Sequence, residues 1–341
     1  MIVLGIETSC DETAAAVVAD GNRILASIVH SQEAVHHPYG GVVPELAARS
    51  HLTAIVPTVR RALEAAGIGP DRIDGIAVTQ GPGLVGALLV GFSFAKAYAH
   101  GRGLPWVGVN HLAGHIESAR LADDPPDYPF VALLASGGHT SLYHVTGPGE
   151  ATPLGHTRDD AAGEAFDKVA KLLGLGYPGG RVISELAGRG DPDRIRFPRS
   201  YLDRDRFDFS FSGVKTAVRR HVASRSEPPD EAARADIAAG FQEAVVDVLR
   251  DKVIQAARTT GCERITLVGG VAANARLRER VGAAAEAAGI ALHLPPLSLC
   301  GDNAAMIAAA GTHDLERGIV GGLDDDVYSR GSVPPASGPA R

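Results

Sequence analysis

The sequence predicts an α/β protein built of two lobes of similar plan, and two observations predict this fold class. A pattern of strand, tight polar turn and two further strands occurs twice along the 341 residues, and each copy continues into alternating helices and strands. A proline-rich stretch at residues 123–129 separates the copies. With 45% apolar side chains, the chain has enough apolar surface for two cores.

The first copy begins with the apolar run Ile2-Val3-Leu4-Gly5-Ile6, which predicts a buried strand. A polar turn at residues 8–12 separates it from the return strand. The strands expected in this copy are at residues 2–7, 13–18, 23–30, 73–79 and 106–110. A helix from about residue 84 is expected between the last two strands.

The second copy repeats this order, with a glycine-containing turn at residues 136–139. Its expected strands are at residues 130–135, 140–145, 151–156, 264–268 and 291–294, with a helix from about residue 274 between the last two. We therefore expect a first lobe over 1–126, a second lobe with insertions over 127–330, and a disordered tail over 331–341. The last helix, near 303–317, is a candidate to pack back on the first lobe.

Composition narrows the class of protein. The net charge of −7 argues against a chain that coats nucleic acid unaided, since that needs a concentrated basic face. Cys10, Cys262 and Cys300 are too few and too scattered for a disulfide framework. The longest apolar stretch, at residues 84–99, contains Lys96 and falls short of the roughly 20 residues of a membrane span. With no secretory signal pattern, we expect a cytoplasmic protein without a membrane helix.

The turn Ser136-Gly137-Gly138-His139 is a candidate phosphate cradle, because two glycines let backbone N–H groups approach an anion. An ordinary hairpin turn is the alternative interpretation. The corresponding turn of the first copy carries Asp11 and Glu12, a pair of carboxylates suited to general base catalysis. Capping of the turn is the alternative for this pair.

Two further glycine pairs lie where a helix is expected to begin. Gly269-Gly270 precedes Asn274 at a strand end. This pattern predicts either a nucleoside site at a helix N-terminus or an ordinary loop followed by an Asn N-cap. Gly179-Gly180 admits the same two interpretations.

His111 and His115 are four residues apart, a spacing that places both imidazoles on one face of a helix and suits a shared metal ion. Two solvated or hydrogen-bonded histidines on a helix are the alternative. The residue after His111 is Leu112, so the general base of a His-Glu-x-x-His zinc protease is missing and proteolysis is disfavoured. Asp302 is a candidate third ligand, with a plain N-cap as its alternative role. Two histidines and one carboxylate point to iron more than to zinc.

The densest basic region follows residue 193. Its basic residues are Arg194, Arg196, Arg199, Arg204, Arg206, Lys215, Arg219 and Arg220. The aromatic residues interleaved with them are Phe197, Tyr201, Phe207, Phe209 and Phe211. Such a segment is either a solvated surface of mixed charge or an RNA contact in which bases stack on the rings.

The duplicated lobe resembles the actin, Hsp70 and sugar-kinase superfamily, in which two facing turns grip nucleotide phosphates in a central cleft. Longer motifs make the resemblance specific, and the chain closely resembles the tRNA N6-adenosine threonylcarbamoyltransferases of the bacterial TsaD type and their archaeal relatives. The motifs lie at residues 5–13, 40–45, 81–84, 111–115, 136–140, 159–168, 177–180, 208–213, 269–274 and 302–303. The resemblance thus spans about residues 1–330.

The resemblance implies transfer of a threonylcarbamoyl group from threonylcarbamoyl-adenylate to N6 of adenosine 37 in tRNAs that read ANN codons, with release of AMP. It implies one iron(II) ion per subunit on His111, His115 and Asp302, while zinc stays open. The residues it implies for the adenylate are Ala135, Ser136, Gly137, Gly138, His139, Asp167, Gly180, Ser184 and Asn274. Our hypothesis adds Asp11 or Glu12 as acceptor of the amine proton and places the metal where it joins the two lobes.

The resemblance also implies partners, namely tRNA, a smaller TsaB-like paralogue of the same fold and a small TsaE-like P-loop ATPase. The acidic net charge agrees with joint binding of tRNA. Two alternatives are a nucleotide-gated scaffold without catalysis and a small-molecule kinase of the same superfamily. The histidine pair, which such kinases do not need, discriminates against the kinase.

Overall fold

The computed structural model describes residues 1–201 and 206–333. The chain divides into two compact units, which we call unit 1 (Met1–Pro125, Thr146–Thr152 and Pro295–Arg341) and unit 2 (Pro126–Val145 and Pro153–Leu294). Arg204 of the basic region and residues 334–341 of the expected tail lie outside the described residues.

The predicted α/β class and its internal duplication are confirmed. The strands are β1 (Ile2–Glu7), β2 (Glu12–Ala19), β3 (Arg23–Ser31), β4 (Gly75–Gly81), β5 (Trp106–Asn110), β6 (Phe130–Ala135), β7 (Thr140–Gly147), β8 (Glu150–His156), β9 (Arg264–Val268) and β10 (Ala291–His293). They form two five-stranded sheets, ordered β3-β2-β1-β4-β5 and β10-β9-β6-β7-β8. In each sheet the first strand of the repeat pairs antiparallel with its return strand and parallel with a later strand.

The α-helices are α1 (Glu33–His36), α2 (Pro44–Ala66), α3 (Val85–Arg102), α4 (His111–Ser118), α5 (Ala162–Leu172), α6 (Gly179–Ala187), α7 (Ser212–Ala223), α8 (Glu231–Thr260), α9 (Ala275–Ala288) and α10 (Ala304–Glu316). Among the described residues, the helices include none with the length and apolar character that a membrane crossing requires.

Helices cover both faces of the sheet of unit 1. Successive side chains of β1 point to opposite faces, so neighbouring residues of this strand belong to different cores. Leu4 packs with Ile55 of α2 and Phe92 of α3 in one core. Val3 packs on the other face with residues of α10, among them Met306. The last helix therefore completes the core of unit 1, although it lies almost 300 residues after β1 in the chain.

Gly5 is where α10 comes closest to β1, and this contact gives the first prediction. A Cβ at Gly5 would lie 2.1 Å from the carbonyl oxygen of Ala304 and 2.9 Å from the Cβ of Ala308. We expect Gly5→Ala to lower the free energy of unfolding by about 3 kcal/mol, because backbone atoms must move to admit the methyl group. Urea unfolding measures the effect. Gly101→Ala on α3, where the added Cβ meets nothing within 4 Å, is the control, and equal stabilities of the two variants would contradict the close packing.

Candidate functional site

The histidine pair of unit 1 lies on α4, which begins directly after β5. The side chain of Asn110 caps the helix, since its Oδ1 accepts hydrogen bonds from the backbone N–H groups of Leu112 (3.0 Å) and Ala113 (3.1 Å). His111 is the first helical residue and His115 follows one turn later, so their ring centroids are 4.7 Å apart. Both side chains are buried, which rules out solvated histidines but not the alternative of hydrogen-bonded ones.

Asp302 lies next to both histidines. Its Oδ1 is 3.1 Å from Nε2 of His115 and 3.6 Å from Nε2 of His111. One ligand atom from each of the three residues lies within 4.8 Å of the others. The N-cap of α10 is Asn303, whose Oδ1 accepts the N–H of Met306 at 3.0 Å, so Asp302 is not the cap of this helix.

Our expectation that the metal joins the two lobes needs correction. The segment that carries Asp302 belongs to unit 1, as do both histidines. The reason is the packing of α10 on β1, β4 and α4, which brings a late part of the chain into unit 1. The whole candidate ligand set therefore lies within one compact unit.

The state of the His115 side chain fits a metal ligand. Both of its ring nitrogens are buried, and neither makes a well-aligned hydrogen bond to a described residue, although Nε2 lies 3.1 Å from Oδ1 of Asp302. A buried polar atom without a partner costs roughly 1–3 kcal/mol, so such atoms are rare unless they have another role. A divalent cation bound by His111, His115 and Asp302 would satisfy a ring nitrogen of this imidazole.

Glu7 is a residue of this site that we did not predict. Its fully buried Oε2 lies 3.0 Å from Nδ1 of His111 and accepts the hydroxyl of Thr79 at 2.6 Å. Its Oε1 accepts the backbone N–H of Ser9. A carboxylate bonded to Nδ1 holds the proton there and leaves Nε2 to a metal. The only signal in the sequence is a charged residue at the end of a buried strand.

Two pKa shifts show how strongly negative the site is without a cation. Burial lowers the pKa of His111, but the charges of Asp302 and Glu7 outweigh it and raise this pKa to about 9. Burial, followed by the charges of Asp302 and Asp11, raises the pKa of Glu12 to about 10. Asp11 and Glu12 lie where β1 turns into β2, and Asp302 is near enough to Glu12 for its charge to act on that carboxyl.

The glycine turn of unit 2 joins β6 to β7. The N–H of Ser136 donates to the carbonyl of His139 at 2.8 Å, and the N–H of His139 donates to Oγ of Ser136 at 3.2 Å. The start of α5 contacts this turn, since the N–H of Gly163 donates to the carbonyl of Ser136 at 3.2 Å. The turn is a hairpin, as the alternative interpretation predicts, and the phosphate cradle stays a prediction.

Packing does not explain why residues 137, 138 and 180 are glycine. A Cβ at each of them would meet nothing within 4 Å, and their φ angles are outside the left-handed region. The fold itself therefore does not require glycine at these positions. A ligand that closely approaches the backbone would be a reason for glycine at these positions.

The other predicted adenylate residues lie in two groups, one at the ends of β6 and β9 and one on α5 and α6. Gly269 packs against Ala135, and the short 3-10 turn Gly270–Ala273 contacts both β6 and α5. Asp167 accepts the N–H of Gly179 at 2.7 Å, which ties α5 to the start of α6 beside Gly180. Ser184 lies one turn further along α6 and is half-buried.

Asn274 has structural partners already. Its Oδ1 accepts the N–H of Leu277 at 3.0 Å as the cap of α9, and its Nδ2 donates to Oε1 of Gln242 at 2.8 Å. The capping alternative is therefore correct for Asn274, and a contact with the adenylate stays a prediction.

The prediction that aromatic rings of this segment contact RNA is wrong for three of the five rings. Phe197, Phe209 and Phe211 are buried, and Phe209 forms a parallel bridge with Thr157. Rings in a core do not stack on bases. The structure shows that these aromatic residues anchor the segment to unit 2.

Some of the basic residues of this segment form ion pairs with aspartates of unit 2. Arg199 pairs with Asp247 at 2.9 Å, and Lys215 pairs with Asp160 at 2.5 Å. Among the described residues of the segment, the exposed basic ones are Arg194, Arg196, Arg206, Arg219 and Arg220.

Two solved structures share this fold. Full-length HypF, in its phosphate- and nucleotide-bound form, matches with a TM-score of 0.61 and 14% identity over 96% of this chain and 47% of that one. Component A of (R)-2-hydroxyglutaryl-CoA dehydratase from Acidaminococcus fermentans matches with a TM-score of 0.55 and 17% identity over 93% and 99% of the two chains. At these identities the matches show the fold alone, and they agree with the predicted α/β fold of two similar lobes.

Curated sequences give the closer comparison. The chain is 62% identical over 330 residues to the tRNA N6-adenosine threonylcarbamoyltransferase of Desulforapulum autotrophicum, covering 97% of this chain and 99% of that protein. It is 56% identical over 323 residues to the enzyme of the same name from Anaeromyxobacter dehalogenans, covering 94% and 96%. The family model described as TsaD, tRNA N6-adenosine threonylcarbamoyltransferase, matches residues 23–309. The chain belongs to this family of acyltransferases.

Proposed function

We propose that this protein transfers a threonylcarbamoyl group from threonylcarbamoyl-adenylate to N6 of adenosine 37 in tRNAs that read ANN codons, releasing AMP. The observation that carries the proposal is the group of His111, His115 and Asp302 in a member of this family. A small-molecule kinase of the same fold has no need of such a group. A scaffold without catalysis has no need of it either.

Unit 2 supplies the residues that hold the donor. The donor is a mixed carbamic-phosphoric anhydride with a good leaving group, so the protein mainly has to orient it and stabilise developing negative charge. The turn at Ser136 offers backbone N–H groups beside Gly137 and Gly138, where an anion can approach. Ala135, His139, Asp167, Gly180, Ser184 and Asn274 complete the proposed adenylate site.

Unit 1 supplies the metal ligands. Two imidazoles and one carboxylate suit iron(II), with zinc as the alternative ion. Bound there, the ion supplies Lewis acid polarisation of an oxygen atom. Glu7 holds His111 in the tautomer that leaves Nε2 for the ion.

The exocyclic amine of adenosine loses a proton during the transfer, and Asp11 or Glu12 accepts it in our proposal. Glu12 can accept a proton only as a carboxylate, so its role requires that the bound cation offset the charge of Asp302, which is, after burial, one of the causes that raise its pKa to about 10. We expect at least one of the isosteric substitutions Asp11→Asn and Glu12→Gln to lower the transfer rate about 100-fold at unchanged adenylate affinity, since general base catalysis contributes roughly this much. Single-turnover transfer to tRNA measures the rate, and AMP binding gives the control. Full rates in both variants would contradict the assignment.

We further propose that the protein acts in the cytoplasm together with partners. The exposed arginines after residue 193 are candidates for contacts with tRNA phosphates. A TsaB-like paralogue would cover the apolar face of α2 and α3, where Leu52, Val56, Val85 and Leu89 are 66%, 48%, 45% and 42% exposed. A TsaE-like P-loop ATPase is the third proposed partner.

The test of the proposed function supplies the purified protein, with its partners, with threonylcarbamoyl-adenylate and unmodified tRNA. We expect N6-threonylcarbamoyladenosine in the digested tRNA and release of AMP. Absence of the modified nucleoside would overturn the proposal. ATP hydrolysis without any transfer to tRNA would favour the scaffold.

A further inference from the structure

The C-terminal segment of unit 1, residues 319–333, runs back over the ends of β4 and β5, and we call it the C-terminal strap. Lys96 of α3 donates to the carbonyls of Leu323 (2.6 Å) and Asp325 (2.9 Å). Gln80 donates to the carbonyl of Asp326 at 2.8 Å and accepts the N–H of Tyr328 at 3.1 Å. These bonds fix the path of the strap as far as Tyr328.

At Tyr328 the strap reaches the beginning of the metal-binding helix. Nδ2 of Asn110 donates to the hydroxyl oxygen of Tyr328 at 2.9 Å and to the carbonyl of Ser332 at 3.0 Å. Its Oδ1 already accepts two backbone N–H groups of α4. Both amide protons and both lone pairs of the Asn110 side chain are therefore used, and the amide has a single satisfied orientation.

The orientation of this amide matters because Asn110 directly precedes His111. An N-cap that accepts from two N–H groups holds the first turn of a helix in place, and loss of a cap costs about 1 kcal/mol. Helix α4 has only eight residues, so its first turn carries His111 and its second turn carries His115. A shift at the cap moves both imidazoles relative to Asp302.

We propose that Tyr328 is a positioning residue of the metal site, which acts through Asn110 to set the directions of His111 and His115. This inference rests on the metal site proposed above. Metal affinity depends steeply on such outer contacts, and removal of one lowers it roughly 10–100-fold at other sites. The C-terminal strap thus contributes to metal binding without contributing a ligand.

The experiment measures binding of Co²⁺, added as a probe to the metal-free full chain, by competition with a chromophoric chelator and by visible absorption. We expect Tyr328→Phe, which keeps the ring and removes the hydroxyl, to lower Co²⁺ affinity about 10-fold and to alter the absorption bands. Tyr201→Phe is the matched control. It removes a tyrosine hydroxyl that donates to Asp251 at 2.5 Å, far along the chain in unit 2, and its Co²⁺ affinity should stay unchanged.

A double-mutant cycle separates positioning from a general effect on folding. If Tyr328 acts through Asn110, the double variant Asn110→Ala with Tyr328→Phe binds Co²⁺ no more weakly than Asn110→Ala alone. Additive losses, or unchanged affinity in Tyr328→Phe, would overturn this inference while leaving the metal site intact. Failure of the unaltered chain to bind Co²⁺ would overturn the proposed metal site and this inference with it.

Discussion

Asp302→Asn should abolish metal binding and reduce transfer to tRNA more than about 100-fold, while the metal-free chain keeps its fold. The substitution preserves the size of the side chain and removes the one carboxylate of the candidate ligand set. Loss of an outer contact already lowers metal affinity roughly 10–100-fold, so loss of a ligand should lower it further. The two buried imidazoles that remain provide only half of a tetrahedral donor set.

The measurement has three parts, namely metal content after loading, the single-turnover transfer rate and urea unfolding of the metal-free chain. Asp71→Asn, at an exposed position of unit 1, is the control for the same change in charge and should behave as the unaltered chain. Full metal content in Asp302→Asn would show that Asp302 is not a ligand. Lost transfer with full metal content would instead assign Asp302 to another step.

The metal residues were within reach of sequence analysis because helical periodicity alone brings His111 and His115 together. The sequence left Asp302 open between a ligand and a plain N-cap, and the family resemblance favoured the ligand. The packing that puts Asp302 into unit 1 was not visible in the pattern. That packing depends on α10 fitting against Gly5 of β1, a contact between distant parts of the chain. Periodicity reports only local structure, so the unit to which the last helix belongs could not be read from it.

Glu7 and Tyr328 could not be predicted for a related reason. Each acts through a hydrogen bond to a residue more than 100 positions away, His111 for Glu7 and Asn110 for Tyr328. The opposite error concerned Phe209 and Phe211, whose alternation with polar residues is typical of both a stacking surface and a buried anchor. A stacking surface and a buried anchor have the same residue types, and only the burial of the rings distinguishes the two.

Helix α8 was missed because its pattern is unusual. It has 30 residues, and its buried positions lie on nearly all sides over its middle part. A helix buried all round has no apolar stripe for periodicity to detect. Its alanine-rich composition favours a helix but does not say which face packs where.

Gly138→Ala should weaken binding of AMP and of the adenylate donor at least about 10-fold, or about 1.4 kcal/mol, without destabilising the fold. The chain leaves open space at this position, since a Cβ there meets nothing within 4 Å and the backbone is not left-handed. Replacing glycine at such a position usually raises stability by up to about 1 kcal/mol by restricting the unfolded chain. The added methyl group would instead occupy the space through which a phosphate oxygen approaches the backbone N–H groups.

A change in binding with equal or greater stability therefore identifies Gly138 as a ligand contact, because damage to the fold would lower both quantities together. Calorimetric titration with AMP and urea unfolding measure the two. Gly282→Ala on α9 is the control in the same unit, where the new Cβ makes only an ordinary contact of 3.8 Å with Leu292. Unchanged AMP affinity in Gly138→Ala would place the phosphate elsewhere, since a turn that closely cradles an anion leaves no room for the methyl group.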